Sequence, residues 1–197
     1  RFDMALAHGN IGKLTENLDG AAKALSAHRR ACQMLPTLVE ANPASHKYRQ
    51  AWGTALNNLG MAFDKAGELD QARMAYDAAL ALRSQLADAE AENRTLQSEL
   101  ALSLVNRGLL LERENHAGEA ERLFRQALSV QEALVNAEPQ NAEYLKNLAT
   151  THNNFVAIYD KTQPQEALAA CRRAIDYMTR ARDAQPRSID FRARLAN

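Results

Sequence analysis

The 197-residue chain has few of the residues that build sheets, disulfides or membrane spans: two cysteines, five valines, four isoleucines and 6% aromatics. Because β-branched residues supply most strands, a sheet of any size is not expected. Cys32 and Cys171 are too few for a disulfide framework, so we expect a reduced, cytoplasmic protein. No apolar run approaches the roughly 20 residues that a membrane helix needs, so no membrane partner is predicted.

The net charge also does not indicate a particular class of binding partner. Lys plus Arg and Asp plus Glu number 24 each, which leaves a net charge of zero. Such a balance produces no overall field that would attract nucleic acid. The C-terminal part is basic, but the single aromatic Tyr177 among its arginines offers no series of base-stacking platforms. Nucleic-acid binding is therefore not predicted.

Sequence signatures of catalysis and cofactor binding are absent. The chain has no glycine-rich phosphate loop, no His-Glu-x-x-His, no Cys-x-x-Cys and no nucleophile elbow. We therefore predict no catalytic residues, no metal ligands and no cofactor, and the chain is not expected to be an enzyme. It begins at Arg1, and we interpret it as part of a larger protein.

What the chain does contain is helix-forming sequence, with 38 alanines and 26 leucines. Both residues have high helix propensity, so the predicted fold class is all-α. Within this composition a self-similar pattern recurs every 48 residues, for example at Tyr48, Leu96 and Tyr144. The pattern divides the chain into one array of four units and the start of a fifth, at residues 1–47, 48–95, 96–143, 144–190 and 191–197.

Each unit carries the apolar spacing of two helices separated by a short turn. In the second unit Gly60 lies in the first helix, and Ala72, Tyr76 and Ala79 follow in the second. The third unit repeats this set as Gly108, Ala120, Phe124 and Ala127.

These small and aromatic positions resemble the tetratricopeptide repeat. The resemblance implies an α-solenoid of antiparallel helix pairs, wound as a right-handed superhelix, with the first helices lining a concave face. The usual repeat has about 34 residues, so these units are about 14 residues longer. In that respect they are similar to kinesin light chains and to the repeat regions of some bacterial signalling proteins.

One column of the repeat is always asparagine, at Asn10, Asn58, Asn106 and Asn154, and Asn57 and Asn153 lie beside it. Asparagine has low helix propensity, so its recurrence needs a cause. The resemblance implies that these amides hydrogen-bond the backbone of an extended peptide in the groove. The alternative is that each asparagine bridges helices within the scaffold.

A second column, one turn further on, pairs an acidic with a basic residue. The basic members Lys65, Arg113 and Lys161 follow Asp64, Glu112 and Asp160. They either recognise charged groups of a peptide or form the solvated end of the helix, where a base complements the helix dipole. Met61, Val105 and Leu109 lie near this level and are predicted to supply apolar contacts.

The predicted function is a protein-interaction scaffold that binds a protein or peptide partner in the concave groove. Two alternatives remain open at this point. The array could be a structural spacer that self-associates through open repeat ends, or it could be a regulatory segment of a larger signalling enzyme.

Overall fold

The computed structural model describes residues 1–18, 21–159 and 163–184, and these ranges contain helices and no strands. The all-α prediction is therefore confirmed. In chain order the helices are α1 (Phe2–Leu18), α2 (Ala21–Ala41), α3 (His46–Lys65), α4 (Leu69–Ala89), α5 (Arg94–Arg113), α6 (Ala117–Ala137), α7 (Ala142–Tyr159) and α8 (Pro164–Asp183). The predicted start of a fifth unit, at residues 191–197, lies outside the described ranges.

The helix boundaries follow the same period as the sequence. The starts of α3, α5 and α7, at residues 46, 94 and 142, are 48 residues apart. The starts of α4 and α6, at residues 69 and 117, have the same separation. Two of the turns within helix pairs use the left-handed region, at Gly67 with φ 77° and at Asn115 with φ 63°. These conformations let α3 and α5 end and the next helix begin within a few residues.

The chain divides into two compact units, Arg1–Leu123 and a second that begins at Phe124. In the first unit each helix from α1 to α5 packs against the next one in the chain. One apolar cluster has members on all four helices from α2 to α5, and it includes Leu25, Leu59, Phe63, Tyr76 and Leu110. A second cluster joins α1, α2 and α3 through Ala5, Ala31, Leu35 and Ala55. Successive helix pairs therefore share core residues.

Close backbone approach explains the small residue that recurs in the first helices. A Cβ added to Gly60 would lie 2.6 Å from Cδ1 of Tyr76, which is buried in the core. In the preceding pair, Gly12 faces the ring of the buried His28 in the same way. A glycine in the first helix thus makes room for a ring from the second.

Polar side chains also link α3, α4 and α5. The buried Arg83 guanidinium donates to the Glu99 carbonyl oxygen at 3.0 Å, to Ser103 Oγ at 2.9 Å and to Thr54 Oγ1 at 3.2 Å. Arg107 on α5 donates to Asp77 Oδ1 at 2.6 Å. Burial lowers the pKa of Arg83, and the nearby Glu99 carboxylate opposes this effect.

The second unit has its own core, formed by Val135, Leu145, Leu148 and Ala181. The rings of Phe124 and Phe155 meet edge to face, with their centroids 5.8 Å apart. Both cysteines are free and half-buried. Among the described helices, none combines the length and the apolar character that crossing a membrane requires.

Candidate functional site

The first helices of the first unit lie side by side, because α3 contacts both α1 and α5. At the α1 end of this row, a cleft of about 300 Å³ opens between α1, α2 and α3. We call it the α1–α3 cleft. Its lining is Phe2, Ala5, Leu6, Gly9, Asn10, Lys13, Ala31, Leu35, Lys47, Gln50, Ala51, Thr54, Ala55, Asn58 and Glu99.

Two members of the predicted asparagine column, Asn10 and Asn58, line this cleft together. Asn10 is exposed and Asn58 is half-buried. Among the described contacts, no side-chain hydrogen bond uses either amide. Each amide can donate through its nitrogen and accept through its oxygen, so both remain available to a ligand in the cleft.

The next asparagines in the row bond to each other. Asn106 Nδ2 on α5 donates to Asn57 Oδ1 on α3 at 2.9 Å. Asn57 is 2% exposed, and its own Nδ2 faces Met61 Sδ at 3.7 Å. The prediction that Asn57 contacts a peptide is therefore wrong, since its amide is buried between two helices. Asn106 is half-buried, so part of its amide still faces outward.

The residues predicted to make apolar contacts with a ligand also include both buried and accessible side chains. Val105 is 5% exposed, so its side chain belongs to the interior and cannot supply the predicted contact with a ligand. Met61 is half-buried, and Leu109 is exposed on α5. Met61 and Leu109 thus remain accessible.

The acidic and basic columns meet across neighbouring helix pairs. The Arg113 guanidinium, at the end of α5, forms an ion pair with the Asp64 carboxylate near the end of α3. It also donates to the Asp64 carbonyl oxygen at 3.3 Å. Lys65 is exposed at the last residue of α3. Arg113 therefore links two neighbouring repeats, which is a structural role within the scaffold.

In the second unit, α7 carries the last two asparagines. Asn153 is exposed, whereas Asn154 is half-buried, with its Nδ2 buried and without a hydrogen-bond partner. Lys161 lies outside the described residues.

Sequence reasoning missed most of the polar lining of the cleft, namely Lys13, Lys47, Gln50, Thr54 and Glu99. Helical spacing gave a usable signal, because residues 50, 54 and 58 lie on one face of α3. Gln50 Nε2 donates to Glu99 Oε1 at 3.0 Å, and the Lys47 ammonium lies 4.7 Å from the centre of the Phe2 ring. The cleft therefore combines amides, both signs of charge and an apolar wall.

Comparison with known proteins agrees with this arrangement of helices. Residues 53–86 match the family model of the tetratricopeptide repeat. The crystal structure of BtubC (BKLC) from P. vanneervenii is similar over 90% of this chain and 73% of its own, with a TM-score of 0.57 and 14% identity. A comparison with curated protein sequences finds no match.

Two further solved structures are more distant. The MamA protein covers 96% of this chain and 96% of its own, with a TM-score of 0.35 and 12% identity. YrrB, described as a TPR protein with an unusual peptide-binding site, covers 92% of this chain and 91% of its own, with a TM-score of 0.30 and 20% identity. At these identities a likeness concerns the fold alone.

The fold thus defines an all-α helical-repeat protein. Within it, residues 53–86 match the model of the tetratricopeptide repeat, so the predicted resemblance to that family is confirmed.

Proposed function

We propose that this chain is a protein-interaction module that binds an extended peptide segment along the face formed by α1, α3 and α5. Helical repeat proteins use surfaces of stacked repeats for binding. The observation that carries the proposal is the pairing of Asn10 and Asn58 in one cleft, each with an amide that no described hydrogen bond occupies.

The lining of the α1–α3 cleft indicates the kind of segment that fits. The Asn10 and Asn58 amides match the alternating donors and acceptors of a peptide backbone. Phe2, Leu6 and Leu35 form an apolar wall that suits an aliphatic or aromatic side chain. At about 300 Å³ the cleft is at the lower end of the usual size of ligand pockets, so it holds a short part of the segment.

The segment continues from the cleft along α3 and α5. In this proposal Met61 and Leu109 give apolar contacts, and the outward part of the Asn106 amide gives a further polar contact. Lys65, exposed at the end of α3, selects for an acidic group in the ligand, whereas Arg113 holds Asp64 of the neighbouring repeat. Asn153, Asn154 and Lys161 belong to the fourth repeat, and their contact with a peptide stays a prediction.

The test uses the full chain and a random-sequence peptide library displayed on phage. Peptides selected by the wild type are synthesised, and their affinity is measured by calorimetry. A hydrogen bond contributes about 1 kcal/mol net, so the double variant Asn10→Ala, Asn58→Ala should weaken binding about 30-fold. The matched control is Asn136→Ala, which removes an exposed asparagine from α6.

Equal affinity of the wild type and the double variant would overturn the proposed role of the asparagines. Selection of no peptide at all would overturn the proposed function. Circular dichroism of the double variant shows whether the helices remain intact, so a loss of binding can be separated from unfolding.

A further inference from the structure

The α1–α3 cleft is lined by three ionisable side chains, Lys13 on α1, Lys47 on α3 and Glu99 on α5. Both lysines are exposed. Among the residues that the structure describes, neither ammonium group has an ion-pair partner. The Lys47 ammonium lies near the Phe2 ring, which carries no net charge. The net charge of the cleft therefore depends on whether the Glu99 carboxylate is compensated.

The Glu99 carboxylate is paired with a residue that does not line the cleft. Its Oε2 lies 3.9 Å from Nε of Arg83, an α4 residue that is 3% exposed. The guanidinium is held in place by the hydrogen bonds that it donates to Thr54 and Ser103. Gln50 Nε2 donates to the other carboxylate oxygen of Glu99. Arg83 therefore fixes one positive charge directly behind the carboxylate.

The repeat register shows that the two members of this ion pair occur together. At the same two positions one period earlier the chain has Leu35 and Ala51, and one period later it has Gln131 and Asn147. Both positions are thus uncharged in the neighbouring repeats and both are charged here. Because a buried charge is costly unless it is paired, this joint occurrence is expected if the arginine compensates the glutamate.

We propose that Arg83 determines the specificity of the α1–α3 cleft by balancing the charge of Glu99. Lys13 and Lys47 are then the effective charges, and the cleft selects a segment that carries an aspartate or glutamate beside an apolar residue. This inference rests on the proposed function and names the class of segment that the cleft binds. Arg83 is a positioning residue in this role, because it is buried behind the cleft and acts through Glu99.

The physical basis is the sign of the field that an incoming segment meets. With Glu99 balanced, the two lysines attract an acidic side chain. Without the arginine, the Glu99 carboxylate would repel that side chain, and like-charge contacts across an interface are unfavourable. The arginine stays protonated throughout the accessible pH range, so the compensation is permanent.

The phage selection described above gives the first test. Peptides selected by the wild type should be enriched in aspartate or glutamate next to an aliphatic or aromatic residue, relative to the unselected library. We define the acidic preference as the affinity of a selected peptide divided by that of its analogue with asparagine or glutamine at the acidic position. Exposed ion pairs predict a preference of about two- to fivefold, which should shrink at about 1 M salt.

Variants of the ion pair separate charge from packing. Arg83→Gln introduces the residue found one period later and removes the positive charge, so the acidic preference should disappear. Arg83→Lys keeps a positive charge and should retain the preference, although lysine lacks the planar fork. Glu99→Gln leaves the arginine unbalanced and should raise the preference above that of the wild type. The double variant Arg83→Gln, Glu99→Gln removes both charges and should restore the wild-type preference.

The control is Arg73→Gln, which also removes a positive charge from α4. Arg73 pairs with Asp70 and Glu114 and does not line the cleft, so the acidic preference should stay unchanged. Circular dichroism checks each fold, because Arg83→Gln leaves the Glu99 carboxylate unpaired. If that variant loses helix, the comparison of Glu99→Gln with the double variant still measures the effect of the arginine charge.

Three results would overturn the inference. Selected peptides without enrichment in acidic residues would do so and leave the proposed function intact. An equal acidic preference in the wild type and in folded Arg83→Gln would show that the arginine does not set the specificity. A double variant that fails to regain the preference would assign the effect of Arg83 to packing. Selection of no peptide would overturn the proposed function itself, and this inference with it.

Discussion

Gly60 illustrates how one residue controls the spacing of a helix pair. Its missing Cβ leaves the space that the Tyr76 ring fills, and Tyr76 is only 3% exposed. Glycine costs a helix up to about 1 kcal/mol relative to alanine, so the sequence accepts a local penalty here in return for close packing.

Replacing this glycine by alanine should therefore destabilise the protein. In Gly60→Ala the new methyl group overlaps a buried aromatic ring, and overpacking of this kind costs about 1–3 kcal/mol. The control is Gly9→Ala, where a Cβ meets nothing within 4 Å, so the gain in helix propensity of about 0.5–1 kcal/mol should stabilise the protein. Urea unfolding followed by circular dichroism measures both free energies. If both variants gained stability, the contact between Gly60 and Tyr76 would not limit the packing.

His152 is a residue with a pH-dependent contribution. It is buried, and its ring stacks on Tyr177 with the centroids 5.6 Å apart. Burial lowers the pKa of His152 below its ordinary value, and the positive charge of Arg173 lowers it further. The folded protein consequently keeps the imidazole neutral under conditions that protonate it in the unfolded chain.

This shift predicts that stability falls on mild acidification. Below about pH 6.5 the unfolded chain binds a proton that the folded chain does not, so the free energy of unfolding decreases as pH falls through that value. His152→Gln should reduce this pH dependence, and Arg173→Ala should also reduce it by raising the pKa of His152. The measurement is urea unfolding between about pH 7.5 and pH 5.5. An unchanged slope in His152→Gln would assign the pH dependence to other groups.

At the scale of the element, the helices of successive repeats start with the same capping arrangement. Asn93 Oδ1 accepts hydrogen bonds from the Thr95 and Leu96 amides, at 3.2 and 3.3 Å, and Asn93 Nδ2 donates to Glu90 Oε2 at 2.8 Å. Asn141 caps α7 in the same way and donates to Glu138 Oε2 at 2.8 Å. A capping asparagine with a glutamate three residues earlier therefore ends one repeat and starts the next.

Removing either cap should weaken the helix that follows it. Asn93→Ala and Asn141→Ala should each lower the free energy of unfolding by about 1 kcal/mol, because two backbone amides lose their acceptor. Asn93→Asp keeps the acceptor but removes the amide that donates to Glu90, so its loss should come from the new repulsion between carboxylates. Thermal and urea unfolding compare the three variants. No loss in either alanine variant would show that water replaces the caps.

At the scale of the whole molecule, each of the two compact units contains an apolar cluster of its own. In the first unit Leu35 lies in the cluster that joins α1, α2 and α3, and in the second Leu148 lies in the cluster with Val135, Leu145 and Ala181. In repeat proteins each repeat contacts only its neighbours, so stability is a sum of local terms.

Hydrogen exchange should accordingly report local effects of core substitutions. Leu148→Ala, at a residue with no exposed surface, should cost about 2–5 kcal/mol and reduce protection in α7 and α8 while α1 and α2 stay protected. Leu35→Ala is the reciprocal variant and should reduce protection in α1, α2 and α3 while α8 stays protected. Mass spectrometry of peptic fragments measures both. Loss of protection throughout the chain in either variant would show that the protein unfolds as one cooperative unit.

Much of the fold could be predicted, but less of the candidate site. The 48-residue period and the apolar spacing placed helices where the structure has them, and the residue pairs of the repeat located the close contact at Gly60. The asparagine columns led to the row of helices α1, α3 and α5, two of whose asparagines line the cleft. They did not distinguish Asn57, which is buried, from Asn58, which lines the cleft. Adjacent residues of a helix differ by about 100° in direction, so a neighbouring helix decides which one faces outward.

The sequence by itself determined the helical class, the 48-residue period and the resemblance to the tetratricopeptide repeat, because helix propensity, apolar spacing and close-packing positions depend on local residue types. Only the tertiary structure decided which polar and apolar groups remain available. Arg113 pairs with Asp64 and Val105 is buried, whereas Leu109 on the same helix is exposed. The physical reason is that burial depends on what packs against a helix face, and that neighbour is encoded elsewhere in the chain.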